Sequence, residues 1–246
     1  MKRYLIYLII IFCIFINYKK INTHSSFNKR KTNEIHRNKI DKYVINKINI
    51  NNIPNLFERL SQADYKFMPK RIYKNDGSIQ YRYIKINPNN LDLDIQEIEN
   101  RIKNFNFLFS QEKQEIIKLL KNLNEIGVLV VLGDIKNRQG SSGYWNPREK
   151  TIVLNQSILE KGTYIFHDIL AHEAIHVAQS CAAGSLSSMP KRIGLPLDFS
   201  INMNETLSHK IYNHNSQEGL YVEQEAYSHS KEIGTAFNLL NQLCQK

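Results

Sequence analysis

His172, Glu173 and His176 stand at the spacing H-E-x-x-H within Ile169–Gln179, which reads ILAHEAIHVAQ. Residues four apart lie one above the other on the same face of an α-helix. Both imidazoles can then reach one metal ion, while Glu173 projects beside it, where a carboxylate can take a proton from an attacking water. Ile169, Leu170, Ala174, Val177 and Ala178 are apolar, and neither Gly nor Pro interrupts Asp168–Cys181. That composition predicts a buried helix, the context the spacing requires, because the same residues on a loop or strand would not converge.

A catalytic zinc usually takes three protein ligands and keeps a fourth position open. The best downstream candidate is Glu223, in Tyr221-Val222-Glu223-Gln224-Glu225-Ala226-Tyr227. Leu220, Glu223, Ala226 and Tyr227 share one face at helical spacing, so this segment is expected to be a second helix. Ala226 makes E-x-x-A with Glu223, a small residue that permits close approach to the first helix. The bland alternative is that two histidines and a glutamate fell on a core helix by chance. Two unpartnered imidazoles on an apolar face would then be costly to bury.

These residues resemble the gluzincin zinc metallopeptidases, whose pattern is H-E-x-x-H followed by E-x-x-A. The resemblance is closest to small bacterial zincin domains carrying H-E-x-x-H-V-x-Q and a later E-x-E-A, matched here by His172–Gln179 and Glu223–Ala226. It implies zinc held by His172, His176 and Glu223, Glu173 as general base, and a peptide or protein substrate. Tyr227 departs from the pattern, since many relatives place an acid there. A metzincin would continue H-x-x-G-x-x-H, but Gln179 and Ala182 occupy those two positions. Met189, in Ser188-Met189-Pro190, is then an ordinary loop methionine. The resemblance also implies an edge strand that binds extended peptide beside the metal. Ser141–Trp145 is the candidate by position, with Gly143, Tyr144 and Trp145 at its centre, although the single Trp equally suits a core anchor.

An oxyanion in the transition state needs a donor besides the metal. Tyr227, His229, His209, His214 and Tyr144 are candidates for that role or for standing behind the ligands, and the sequence does not choose among them. His167 lies off the metal-facing line and is expected to be structural. The rival function is a catalytically inactive zincin-like module for binding or assembly, against which the retained Glu173 argues.

The elements that must position these residues follow from the rest of the chain. The expected fold class is α+β, with a small antiparallel or mixed sheet ahead of the H-E-x-x-H helix. Leu91–Phe105 and Ser110–Ile126 are expected helices, the second capped by Ser110 and ended by Gly127. Val128–Leu132 is a β-branched apolar run suited to a central strand. Gly143–Trp145 turns through Asn146-Pro147-Arg148-Glu149 into Thr151–Asn155, a hairpin. Thr163 is expected to cap the motif helix. Ala182–Ser200, rich in Gly, Ser and Pro, has room to form a lid or a wall of the cleft. Asn202–Tyr212 is expected to be a short helix, followed by one long final helix over Gln217–Gln245.

The 246 residues carry a net charge of +10, but the excess is local. Through Asn87 there are 18 Lys+Arg against 5 Asp+Glu, and 15 against 18 thereafter. A slightly acidic body weakens a nucleic-acid reading. Met1-Lys2-Arg3 and the apolar run Tyr4–Asn17 make residues 1–17 an expected signal peptide, or else a signal anchor, since the run is shorter than the ~20 residues of a spanning helix. Residues 18–54 are basic and acid-poor. Together the two segments resemble the plastid leader of apicomplexan parasites, reached through the secretory pathway; a secreted or membrane-anchored protein is the alternative. Residues 55–90 are expected to hold a basic hairpin turning at Asn75-Asp76-Gly77-Ser78. There Tyr81, Arg82, Tyr83 and Lys85 suit either a polyanion-binding ribbon or, by preference, a solvated face. The metallopeptidase domain is expected over 91–246. Cys181 and Cys244 can pair, and a reduced buried pair fits the sequence equally well.

Overall fold

The computed structural model describes residues 48, 53–82, 94–105, 108–135, 141–200, 207 and 216–245. These residues belong to one compact unit that begins at Asn46. The expected signal and basic extension lie outside the described residues apart from Ile48 and the start of the first helix. So does the expected helix over Asn202–Tyr212, apart from Leu207. Among the described residues no helix is long and apolar enough to cross a membrane.

The fold is α+β. In order along the chain the elements are α1 (Ile53–Phe67), β1 (Lys70–Tyr73), β2 (Ile79–Arg82), α2 (Ile95–Lys103), α3 (Ser110–Glu125) and β3 (Leu129–Gly133). They are followed by β4 (Gly143–Asn146), β5 (Thr151–Asn155), a 3₁₀ turn over Gln156–Lys161, α4 (Thr163–Ala182), α5 (Gln217–His229) and α6 (Thr235–Cys244). α4 carries H-E-x-x-H and is the axis of the core. Every residue from Leu170 to Cys181 is buried, the pattern of a helix surrounded on all sides. α1, α3, α5, α6, the 3₁₀ turn and strands β4 and β5 all pack against it.

The three-stranded sheet has the order β3-β5-β4, with β3 and β5 parallel and β4 and β5 antiparallel. The central strand is therefore β5, not the apolar run of β3. Both are buried, and β3 is covered on its outer side, where Ile48 N–H donates to Val130 O at 3.0 Å. Burial on both faces makes the two strands equally apolar, so composition could not say which was central. β4 is the edge, reached through the turn at Pro147–Lys150.

Two boundaries differ from expectation. The first is α1, which crosses the expected limit at 54 and, although it precedes the domain expected from 91, belongs to the core. Ile53, Leu56, Leu60 and Ala63 are buried on one of its faces, the first three joined to the cluster of Leu119, Phe166 and Leu170. The second is the long final helix, which is two helices. α5 ends at His229, and Gly234, with φ of +91°, begins α6 in a conformation that favours glycine. The break serves the core, because Ser230 is buried and its hydroxyl bonds Asp168 on α4.

The caps differ too. α3 starts after Phe109 with no side-chain cap from Ser110. α4 is capped not by Thr163 but from α1. Asp64 Oδ1 accepts from Thr163 N–H at 2.7 Å, and Oδ2 from the Thr163 hydroxyl at 2.6 Å. Gly162 precedes it at φ +86°, and a Cβ there would overlap the Asp64 carboxylate.

The hairpin β1–β2 pairs Tyr73 with Ile79 around Gly77, with Asp76 Oδ1 accepting from Ser78 N–H at 2.9 Å. Glu99 of α2 holds it through Arg71 and through the Tyr81 hydroxyl at 2.6 Å. Those two bonds, the Arg71 one first, keep the Glu99 carboxyl down at about 2. Arg71 and Tyr81 are thus engaged within the protein, while Tyr83 and Lys85 lie outside the described residues.

Candidate metal centre

α4 places His172 and His176 one turn apart, and α5 brings Glu223 to them. The ligand-capable atoms form a nearly equilateral triangle. His172 Nε2 and His176 Nε2 are 3.1 Å apart, and Glu223 Oε2 is 3.3 Å from each. Donors about 2.0–2.1 Å from a tetrahedral zinc stand about 3.3–3.4 Å apart, so one face of such a tetrahedron fits these three atoms. Among the described residues this is the one group of three such side chains able to hold a metal. The close approach that allows it comes from Ala226, fully buried where α5 meets α4.

Hydrogen bonding fixes which nitrogen of His176 faces the triangle. Its Nδ1 lies 2.7 Å from Gln179 Oε1. The Gln179 amide cannot turn round, because its Nε2 donates to Val222 O at 3.1 Å and to Glu225 Oε2 at 2.8 Å, both acceptors. Oε1 therefore accepts from His176 Nδ1–H, which leaves Nε2 as the nitrogen facing the triangle. His172 is held differently. Its Nδ1 is buried without a partner, and its ring lies 4.2 Å from the Tyr227 ring, tilted by 48°. Tyr227 thus supports His172 by ring contact.

Two imidazole nitrogens and a carboxylate oxygen facing one another suit a cation between them. Without a metal, the acids around His176 favour a proton on its ring. Burial opposes a charged His176, but Glu223, Glu173 and Gln179 outweigh it and hold the imidazole up at about 9. Burial likewise opposes a charged Glu223, and the two histidines overcome it, holding the carboxyl well below the usual range. A divalent ion satisfies the same three atoms.

Glu173 is buried beside the triangle, and its Oε2 has no hydrogen-bond partner. Burial raises its carboxyl above the ordinary value; the two histidines and the Trp145 backbone N–H oppose that, and Glu223 adds to it. β4 runs against this carboxylate. A Cβ on Gly143 would stand 3.1 Å from Glu173 Oε1, from Ile169 Cγ2 and from Leu154 Cδ2, so glycine lets the strand lie this close without displacing those side chains. Tyr144 stands on the opposite face of β4 from Gly143, as alternation requires. Trp145 is a core residue, buried with its Nε1–H donating to Ser180 Oγ at 2.8 Å.

The other candidates sort by position. His229 engages both ring nitrogens elsewhere, with Pro196 O at 2.8 Å and Glu232 Oε2 at 3.0 Å, so neither nitrogen is left for an oxyanion. His167 is structural as expected, buried against Glu115 at 2.9 Å. His209 and His214 lie outside the described residues. Met189 is an exposed loop residue.

Sequence reasoning missed Glu225. Fully buried, it accepts from the backbone N–H of Ile193 at 2.9 Å, of Gly194 and Leu195 at 2.8 Å each, and from Gln179. With Gln224 donating to Asp198 O, Ser228 accepting from Asp198 N–H, and His229 at Pro196, it straps residues 193–198 along α5. Ala182–Ser200 is thus a wall tied to the ligand helix. The E-x-E spacing was the available signal, but only the fold shows the second acid turned to the wall.

Comparison with protein-family models, curated proteins and solved structures finds no match to this chain.

Proposed function

We propose that this chain is a zinc-dependent metallopeptidase of gluzincin type, built on a zincin-like domain. The observation that carries the reading is the triangle of His172, His176 and Glu223 with a buried, unpartnered Glu173 oxygen beside it. A structural zinc site is normally closed by four protein ligands, whereas three ligands and an adjacent base suit hydrolysis. Zinc in such a site supplies Lewis acidity toward a carbonyl and makes water a nucleophile near neutral pH.

The chain's own residues do the rest. Glu173, its carboxyl raised by burial, accepts the proton of the attacking water and returns it to the leaving amine. β4, the sheet edge running against Glu173, aligns an extended peptide by backbone pairing, which demands little of the peptide's sequence. Gln179 holds His176, and Tyr227 supports His172. Tyr227, whose ring meets that of His172, is the candidate for oxyanion donor. The proposed site of action is a plastid reached through the secretory route, and a disulfide between Cys181 and Cys244 suits passage through an oxidising compartment.

Glu173→Gln tests the function. Gln keeps the shape but cannot take the proton, so zinc content stays at the wild-type level while peptidase activity on denatured protein falls by about 10²–10⁴-fold. Equal activity of the two proteins would refute the enzymatic reading. Zinc retained with no activity in either would assign the site to binding or assembly.

A further inference from the structure

Glu225 lies two residues from the proposed ligand Glu223, yet its carboxylate turns away from the metal triangle and touches neither histidine by any hydrogen bond the structure shows. It is fully buried, and a buried carboxylate with no function of its own is a costly residue to keep. All four of its bonds come from donors: the N–H groups of Ile193, Gly194 and Leu195, and the Gln179 amide. One orients the Gln179 amide, which meets the ligand His176, and the other three hold residues 193–195 against α5.

The bond to Gln179 has the farther reach. Gln179 can present either its oxygen or its NH₂ to His176 Nδ1. With the NH₂ facing His176, Nδ1 would be the acceptor and Nε2 would carry the proton, and that tautomer has no lone pair for a metal. Glu225 Oε2 and Val222 O, both acceptors, hold the NH₂ on the far side. The oxygen is left for His176 Nδ1–H at 2.7 Å. We infer that Glu225 is a positioning residue which, through the Gln179 amide, holds His176 in its metal-binding tautomer and in the same stroke pins the wall at 193–195. The inference rests on the metallopeptidase reading only in taking zinc as the ion. Its content is that metal affinity and wall placement share one carboxylate. Partners standing behind a metal-bound histidine typically change metal affinity by 10–100-fold when removed.

The test measures zinc affinity of the full-length chain by competition with a chromophoric chelator, together with stability in denaturant. Wild type must bind zinc; if it does not, the metal reading itself fails and the relay is not what has been disproved. Gln179→Leu cuts the relay while leaving Glu225 its three backbone donors, and is expected to lower zinc affinity by about 10–100-fold. Glu225→Gln places an NH₂ among donors and is expected to lower both affinity and stability. The exchange Gln179→Glu with Glu225→Gln separates the two roles. Glu at 179 accepts from His176 Nδ1–H, and Gln at 225 donates to it; Val222 O loses its donor and faces a carboxylate oxygen, so affinity rises above that of Glu225→Gln while staying below wild type. Ile193 N–H meanwhile still faces an NH₂, so stability does not recover. If the exchange leaves affinity as low as Glu225→Gln alone, or if Gln179→Leu binds zinc as wild type does, the positioning role is overturned. A Glu225 that served only to hold the fold would give affinities that follow stability across all three variants.

Discussion

Asp64 and Thr163 are joined by two hydrogen bonds across 99 residues of chain, one carboxylate oxygen on the backbone N–H and the other on the hydroxyl. The helix carrying both histidines therefore begins on a residue of α1. Asp64→Ala is expected to destabilise the protein by about 2 kcal/mol, the upper end for loss of a helix cap, because the site is buried. Denaturant titration measures this, and a change within error would show that water replaces the cap. A chain begun at residue 91 loses this cap together with Leu56 and Leu60, and is expected not to fold.

Gly143→Ala probes how closely β4 runs against the base. The added Cβ meets three atoms at 3.1 Å, one of them Glu173 Oε1. Relief by small shifts is expected to cost about 1 kcal/mol of stability. Moving Glu173 by a few tenths of an ångström should lower hydrolysis by roughly tenfold, less than the ~10²-fold of a 1 Å misplacement. Zinc affinity should not change. A variant that loses zinc and activity together would mean that the strand shapes the ligands and not the base.

Zinc binding should depend on pH in a defined sense. His176 is raised to about 9 in the metal-free protein, so below that value zinc must displace a proton from it. Apparent affinity is expected to climb about tenfold per pH unit as the pH rises from about 7 toward 9, then to level off. Glu223 adds no slope there, since its carboxyl is held well below the usual range. Competition titrations at several pH values read the slope, and a flat line would contradict the displaced proton.

How much of this centre the sequence carried depends on how local each part is. His172 and His176 lie on one helix, where spacing alone sets their geometry, and Glu223 follows from a second helix whose small residue marks the contact. The antiparallel turn at Pro147 and the apolar runs of β3 and β5 were legible for the same reason. The Asp64 cap was not, because an acid on a separate amphipathic helix looks like any solvated residue until the core brings it to Thr163. Glu225 was hidden similarly. On helical spacing it points away from the ligand face, and nothing local says that three backbone N–H groups of a Gly/Pro-rich segment will fold onto it. The break before α6 escaped because Gly234 is tolerable inside a helical pattern, and only burial of Ser230 against Asp168 shows why the chain turns there.

Cys181 and Cys244, at the ends of α4 and α6, are joined by a disulfide across a sequence separation of 63. The wall and Glu223 both lie on the stretch so closed into a covalent ring. A single backbone cut between Cys181 and Glu223 would leave two chains, with both histidines on one and the glutamate on the other. The sulfur bridge still ties those chains together, and the contacts of α5 and α6 with α4 need no intact peptide link between them. Nicking by a protease would therefore yield a two-chain molecule with all three donors in reach of one another. Only reduction of the bridge after such a cut would let Glu223 leave.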